Sequence, residues 1–156
     1  MGRYPIHYHM IGRIRESFIE GVSVHHSFNR GTTIHGVHFL WLTKSVYYIH
    51  MGHGIFFEDS IESNNIVEGN LVMGTKKSSS LLKSDLSPGA MWITRPNNYI
   101  RNNHAVGSVS FGFWYDLPNK PSGPSFVNSI CPVGEELGEF SNNVSHGNGI
   151  GLRIYP

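Results

Sequence analysis

Short strand-like runs recur along the chain with a period in the low twenties, and this repeat limits the folds that it can adopt. Runs that begin at Glu20, Lys44 and Glu68 are evenly spaced, and runs that begin at Gly31 and Gly54 recur at nearly the same interval. No long segment carries apolar residues at helical spacing. A period of this size built from strands indicates a solenoid, in which similar coils stack on one another.

Among solenoids, a right-handed parallel β-helix suits the sequence best. The leucine pattern of leucine-rich repeats is missing. We therefore predict an all-β chain of about five to six coils, each with two or three short strands that pair with their counterparts one coil away. Asn70, Asn103 and Asn143 are expected to stack as a ladder at one corner of the coils.

The whole chain, residues 1–156, is predicted to be a single β-helix segment with two insertions. The repeat is interrupted near 74–88 and 117–138, and both stretches are rich in Ser, Pro, Lys and Gly, which predicts loops between coils. A hydrophobic content of 39% with 15% charged residues argues against disorder. The N-terminus lacks the apolar core of a signal peptide, so if the protein is secreted we expect this chain to be a fragment of a larger one.

Charge and hydropathy exclude two classes of function. The formal net charge is +1 at pH 7 and the longest basic run is Lys76-Lys77, whereas nucleic-acid binding requires a clustered basic face. No apolar stretch approaches the ~20 residues that a membrane span needs. Cys131 is the single cysteine and provides no internal disulfide framework. The sequon Asn143-Val144-Ser145 is compatible with secretion.

The repeat also predicts which side chains point outward. Ile34 and Phe57 take equivalent inward positions on two coils, so their neighbours His35 and Glu58 face outward. The same alignment makes Ile6 equivalent to Ile34 and His7 equivalent to His35, and in the final coil it turns Leu152 inward and Arg153 outward.

A group of histidines is the strongest candidate for chemistry. His7 and His9 are two residues apart and share one face of their strand, and adjacent strands lie only ~4.8 Å apart. His7, His9 and His35 are therefore predicted to converge on one divalent transition metal ion, zinc-like in its ligand preference, with Glu58 as a fourth ligand or a base. The alternative is that these histidines are surface residues that hydrogen-bond between coils.

Three residues around the second coil are candidates for acid–base catalysis. His53, Glu58 and Asp59 lie close in sequence, and paired carboxylates near a histidine can cleave a glycosidic bond. Strand alternation, however, would turn Glu58 and Asp59 to opposite faces. Asp59 would then bond to backbone amides where the strand ends.

Aromatic residues provide candidates for ligand contact. In the run from Phe111 to Asp116, alternation places Phe111, Phe113 and Tyr115 on one face and Trp114 on the other, and one of the two sets must fill the interior. Trp114 on the outer face could stack on a sugar ring. Trp114 and Arg3 are the predicted ligand-binding residues.

Five motifs in order give the chain a family resemblance: Gly2-Arg-Tyr-Pro-Ile-His-Tyr-His, Gly52-His-Gly-Ile-Phe-Phe-Glu-Asp, Arg95-Pro-Asn-Asn, Phe111-Gly-Phe-Trp-Tyr and Gly123-Pro-Ser. With them the chain resembles the parallel β-helix region of fibrocystin and fibrocystin-like proteins. That region is shared with the cell-migration-inducing and transmembrane cell-surface hyaluronidases. The resemblance is closer to the fibrocystin branch, through the segments 96–103 and 137–140.

The resemblance implies an extracellular location and two alternative functions. The fibrocystin branch implies a segment of a cell-surface receptor or scaffold that binds a glycan or an extracellular protein partner. The hyaluronidase branch implies a hyaluronan-degrading enzyme, in which the histidine group would supply a metal site.

Overall fold

Sixteen strands form three parallel sheets in the computed structural model, which describes residues 4–79 and 83–155. Sheet A contains β1 (Ile6–Arg13), β4 (Thr32–His38), β7 (Ile55–Phe57), β10 (Gly89–Ile93), β13 (Phe111–Asp116) and β16 (Ile150–Tyr155). Sheet B contains β2 (Phe18–Glu20), β5 (Trp41–Thr43), β8 (Ile66–Glu68), β11 (Tyr99–Arg101) and β14 (Glu139–Ser141). Sheet C contains β3 (Ser23–Ser27), β6 (Val46–Met51), β9 (Leu71–Lys76), β12 (His104–Val106) and β15 (Val144–His146).

The chain passes through sheets A, B and C in turn, so that three successive strands make one coil. Each strand pairs in parallel with the corresponding strand of the next coil. Five complete coils and a sixth strand of sheet A result, and the predicted parallel β-helix is confirmed. The only helical turns in the described ranges are short 3-10 segments, Lys83–Leu86, Gly123–Ser125 and Pro132–Gly134. None of the described helices is long and apolar enough to cross a membrane.

The core lies inside the coils, where alternate residues of the three sheets meet. Ile34 and Phe57 are fully buried, which confirms their predicted inward positions. Leu152 aligns with the buried Phe113 but is 42% exposed, because β16 has a neighbouring strand on only one side. The other fully buried members of this core are Val37, Leu40, Leu42, Tyr47, Ile55, Val67, Val72, Ala90, Met91, Ile93, Ile100 and Ala105.

The predicted asparagine ladder lies between sheets B and C. The side-chain Oδ1 of Asn103 accepts hydrogen bonds from the backbone N–H and Nδ2 of Asn70, both at 3.0 Å. Asn143 repeats this arrangement one coil further on, with Asn103 as the donor. A second ladder of the same type, which the sequence analysis did not predict, joins Asn65 to Asn98 between sheets A and B. Both ladders satisfy backbone groups where the chain turns a corner.

The predicted alignment of the first strand is wrong by two residues. His9, not His7, lies beside His35. The pairing of β1 with β4 shifts between His9 and Gly12, and Met10 in this interval has a φ of 52°, so the strand carries a local irregularity. Because side chains alternate with a period of two, a shift of two residues leaves the same side chains on the outer face.

Candidate functional site

Three histidines meet on the outer face of sheet A. His7 and His9 come from β1, and His35 comes from the adjacent strand β4. One nitrogen from each of the three rings lies within 4.8 Å of the others. The rings of His9 and His35 are closest, with centroids 4.6 Å apart. The structure therefore brings the three predicted metal ligands together.

A carboxylate fixes the orientation of the His35 ring. His35 Nε2 lies 2.6 Å from Asp59 Oδ2, so this nitrogen carries the hydrogen and donates it to the carboxylate. His35 Nδ1 then accepts a hydrogen bond from His9 Nδ1 at 3.0 Å, and it lies 3.5 Å from Glu58 Oε2. A carboxylate that binds the far nitrogen of a metal-ligating histidine is the usual outer partner in such centres.

Glu58 supplies a fourth donor atom. Its Oε2 is buried, and the described residues provide it with no hydrogen-bond partner. In a tetrahedral site with bonds of about 2.0–2.1 Å, neighbouring ligand atoms are about 3.3 Å apart, close to the separations of His35 Nδ1 from His9 and Glu58. Three imidazoles and a carboxylate are a donor set that suits zinc and similar transition metals.

Burial affects the protonation of these groups. The pKa of His7 is lowered, first by burial and then by the neighbouring His9, His35 and Arg30. A lowered pKa favours the neutral imidazole, which is the form that binds metal. Burial also raises the pKa of Glu58. An ion at this position would favour the ionised form of the Glu58 carboxylate, which burial disfavours.

The predicted orientation of Asp59 is wrong. Strand β7 ends at Phe57, so the alternation that would turn Glu58 and Asp59 apart does not extend to them. The chain turns here, with Ser60 at a φ of 70°. Both carboxylates consequently reach the His35 ring, one at each nitrogen.

His53 has a structural role in the fold instead of sharing a site with the two carboxylates. It is fully buried, its Nδ1 accepts a hydrogen bond from Gly89 N, and its Nε2 lies 3.1 Å from Ser84 Oγ. Its ring stacks on Trp92 at 4.8 Å. Burial, the largest cause, lowers the pKa of His53 to about 3. A neutral, inaccessible imidazole cannot donate a proton to a substrate near neutral pH.

The predicted ligand-binding role of Trp114 does not fit its position. Trp114 is only 9% exposed and packs with Phe111 and Trp92 in a second apolar cluster on the outer face of sheet A. The guanidinium of Arg153 lies 5.1 Å from its ring centroid. Phe111 joins this outer cluster and not the predicted inner set. Arg3 lies outside the described residues.

A cavity beside the carboxylates contains a residue that the sequence analysis did not select. Its volume is about 200 Å³, and Glu58, Trp92 and Asp116 are among its lining residues. Trp92 Nε1 donates a hydrogen bond to Asp116 Oδ2 at 3.2 Å, and burial raises the pKa of Asp116. Ser122, from the insertion after β13, closes one side and donates its N–H to the backbone oxygen of Asp59. The sequence signal for Asp116 was its outward position at the end of β13.

Comparison with known proteins confirms the predicted resemblance. A family model described as CEMIP beta-helix matches residues 1–152. The chain is 45% identical to mouse fibrocystin-L, an alignment that covers 99% of this chain and 4% of that protein. It is 32% identical to the human cell surface hyaluronidase CEMIP2, over 95% of this chain and 13% of that protein, and 31% identical to the Communication mutant protein F of Dictyostelium discoideum, over 94% and 15%.

These alignments cover nearly all of this chain but a small part of each relative. The matched region of this chain is the β-helix with the three sheets described above. The chain belongs to the CEMIP beta-helix family.

Proposed function

We propose that this chain is the metal-binding β-helix segment of a fibrocystin-like receptor or scaffold protein at the cell surface. We further propose that the surface formed by His7, His9 and His35, the histidine face, binds an acidic glycan such as hyaluronan. The observation that carries the proposal is the convergence of His7, His9 and His35, with one nitrogen of each ring within 4.8 Å of the others. Relatives named as a cell surface hyaluronidase and as a hyaluronan-binding protein support the location and the glycan class.

The neighbouring residues support this role. Asp59 holds His35 in the tautomer whose Nδ1 lone pair points toward His9, and Glu58 provides a buried oxygen within reach. A divalent cation held by these groups would supply an electrophilic site for a carboxylate or hydroxyl oxygen of the glycan. Its binding would also join strands β1 and β4 and stabilise the fold by linkage.

Calorimetric titration with zinc tests the metal site. We expect saturable binding that is lost in His9→Ala and in His35→Ala and weakens as pH falls through the histidine range near ~6.5. His104→Ala is the matched control, because His104 is exposed on sheet C. Binding that is absent, or that survives both substitutions, would overturn the proposed metal site.

Titration with size-defined hyaluronan then tests the glycan. We expect binding in the presence of zinc, loss on addition of a chelator, and loss in His35→Ala. Equal binding with and without metal would contradict the proposed role of the histidine face.

A second function, cleavage of an acidic polysaccharide, is favoured by one specific observation. Glu58 and Asp116 line the same cavity, and a pair of carboxylates on either side of a glycosidic bond is the usual machinery for its hydrolysis. Glu58 would donate the proton to the leaving oxygen and Asp116 would activate a water or stabilise the positive sugar.

Incubation with size-defined hyaluronan tests the second function. We expect shortening of the polymer, with loss of activity in Glu58→Gln and in Asp116→Asn and full activity in Glu136→Gln, whose side chain lies on the exposed insertion. An unchanged polymer length would exclude cleavage and leave the binding proposal intact.

A further inference from the structure

Two exposed aromatic residues lie side by side on the outer face of sheet B. Phe18 of β2 and Trp41 of β5 are direct partners in the pairing of these strands. Phe18 is 65% exposed and Trp41 is 56% exposed, although aromatic rings are usually the residues that folding buries most effectively. Their strands are neighbours at a spacing of ~4.8 Å. Both side chains line the same groove on this face.

The aromatic pair lies in a groove with polar sides. The groove has a volume of about 670 Å³, and its lining includes Glu20, Lys44, Glu68 and Asn102 around the two rings. Such a combination of apolar rings and a few polar groups is typical of small-molecule sites. It lies on a different sheet from the histidine face.

The charges of the groove restrict the class of ligand. Lys44 Nζ is paired with Glu20 Oε1 at 2.7 Å, and Glu68 is paired with Arg101 at 3.0 Å. Glu16 adds a further carboxylate to the lining. With Arg101 counted, these three carboxylates face two cations, so the groove has no net positive charge to attract a polyanion. Hyaluronan, which carries a carboxylate on every second sugar, is therefore a poor ligand for this groove.

We propose that the Phe18–Trp41 groove binds a neutral oligosaccharide. The axial C–H groups of a pyranose ring form an apolar face that packs on the negative face of an aromatic ring. The hydroxyl groups at the ring edge are donors that suit the carboxylates of Glu20 and Glu68, and acceptors that suit the amide of Asn102. The site is independent of the histidine face, so the chain would hold two glycans of different charge.

Tryptophan fluorescence provides a direct readout of this groove. The sequence contains three tryptophans, and Trp92 and Trp114 are 7% and 9% exposed. A ligand that stacks on Trp41 therefore changes the emission of the exposed tryptophan. Suitable probes are a β-1,4-linked glucose hexamer and a β-1,4-linked N-acetylglucosamine hexamer, each titrated into the 156-residue chain.

We expect saturable binding of at least one neutral hexamer, unchanged in about 0.5 M NaCl because no ion pairs form. Calorimetry should show binding at least roughly tenfold weaker in Trp41→Ala and in Phe18→Ala. Phe28→Ala is the matched control, because Phe28 is 90% exposed and lies outside the groove. Binding should also persist in His9→Ala and with a chelator, which separates this site from the proposed metal centre.

Three results would overturn the inference. The first is that neither neutral hexamer binds. The second is that binding persists at full strength in both Trp41→Ala and Phe18→Ala while circular dichroism shows them folded. The third is self-association of the chain that Trp41→Ala abolishes, which would make the groove an interface between two copies.

Discussion

Removal of the central amide of the asparagine ladder tests how the coils are held at their corner. Asn103 is fully buried, and its side chain takes part in four hydrogen bonds. Oδ1 accepts two from Asn70, at 3.0 Å each. Nδ2 donates one to Val67 O at 2.8 Å and one to Asn143 Oδ1 at 3.1 Å. Asn103→Ala deletes all four, and the backbone N–H of the buried Asn70 loses its acceptor.

The expected loss follows from this count. A hydrogen bond contributes about 1 kcal/mol net to the free energy of unfolding, and an orphaned buried donor costs more. Four bonds therefore correspond to about 4 kcal/mol. For a chain of this length, that loss would lower the melting temperature by about 8–16 °C.

Urea unfolding followed by far-ultraviolet circular dichroism measures the effect. Asn102→Gly is the matched control, because Asn102 is the exposed neighbour with a φ of 56°, which glycine tolerates, and its amide has one hydrogen bond to Glu68. We expect the control to change stability by less than about 0.5 kcal/mol. Equal losses in the two variants, or a loss below about 1 kcal/mol for Asn103→Ala, would refute a ladder that stabilises the coils.

Four further outcomes are expected. Phe57→Ala should lower the free energy of unfolding by about 3–5 kcal/mol, because the ring is fully buried, whereas Arg153→Ala should lower it by about 1 kcal/mol or less. Equal losses in urea unfolding would contradict the assignment of Phe57 to the inner face and Arg153 to the outer face. Asp59→Asn should weaken zinc binding roughly 10–100-fold without abolishing it, and calorimetry that finds unchanged affinity would show that the carboxylate does not orient the ligand. In the unfolded chain the pKa of His53 is near its ordinary value of 6.5, whereas in the folded chain it is about 3. The contribution of His53 to the free energy of unfolding should therefore be fully present above pH 6.5 and fall by about 3 kcal/mol by pH 4.5. A His53→Gln variant whose stability falls with pH just as steeply would assign the loss to other groups. Asn143 Nδ2 donates a hydrogen bond to Ile100 O in the ladder. Mass spectrometry of the folded protein secreted from eukaryotic cells should therefore find this sequon unmodified. A glycan on Asn143 would contradict the ladder at this position.

The repeat allowed the interior and the ladder to be predicted from sequence, because both depend on periodicity. Ile34, Phe57 and the stacked asparagines recur from coil to coil, so one alignment places them all. The first strand was misaligned because its irregularity after His9 is a local backbone feature with no periodic signal. Asp59 was misplaced because alternation applies only within a strand and β7 ends two residues earlier.

Contacts between the insertions and the coils could not be predicted, because loop conformation has no period. Arg30 is 1% exposed and forms two hydrogen bonds with Asp85, which lies far along the chain in the first insertion. Nothing in the repeat pairs these two residues. The cavity that contains Asp116 likewise exists because the second insertion packs against the outer face of sheet A.

The unequal coils give the stack a stepwise response to mechanical force. The coil that runs from Thr32 to its partner Ile55 is much shorter than the coil that runs from Phe113 to its partner Leu152. Tension on the chain ends would peel away one coil at a time, because each coil is held by hydrogen bonds to the next. At about 3.4 Å per extended residue, the shorter coil would release about 80 Å of chain and the longer one about 130 Å. Under load, the segment would therefore lengthen in successive steps of different size and keep its remaining coils folded.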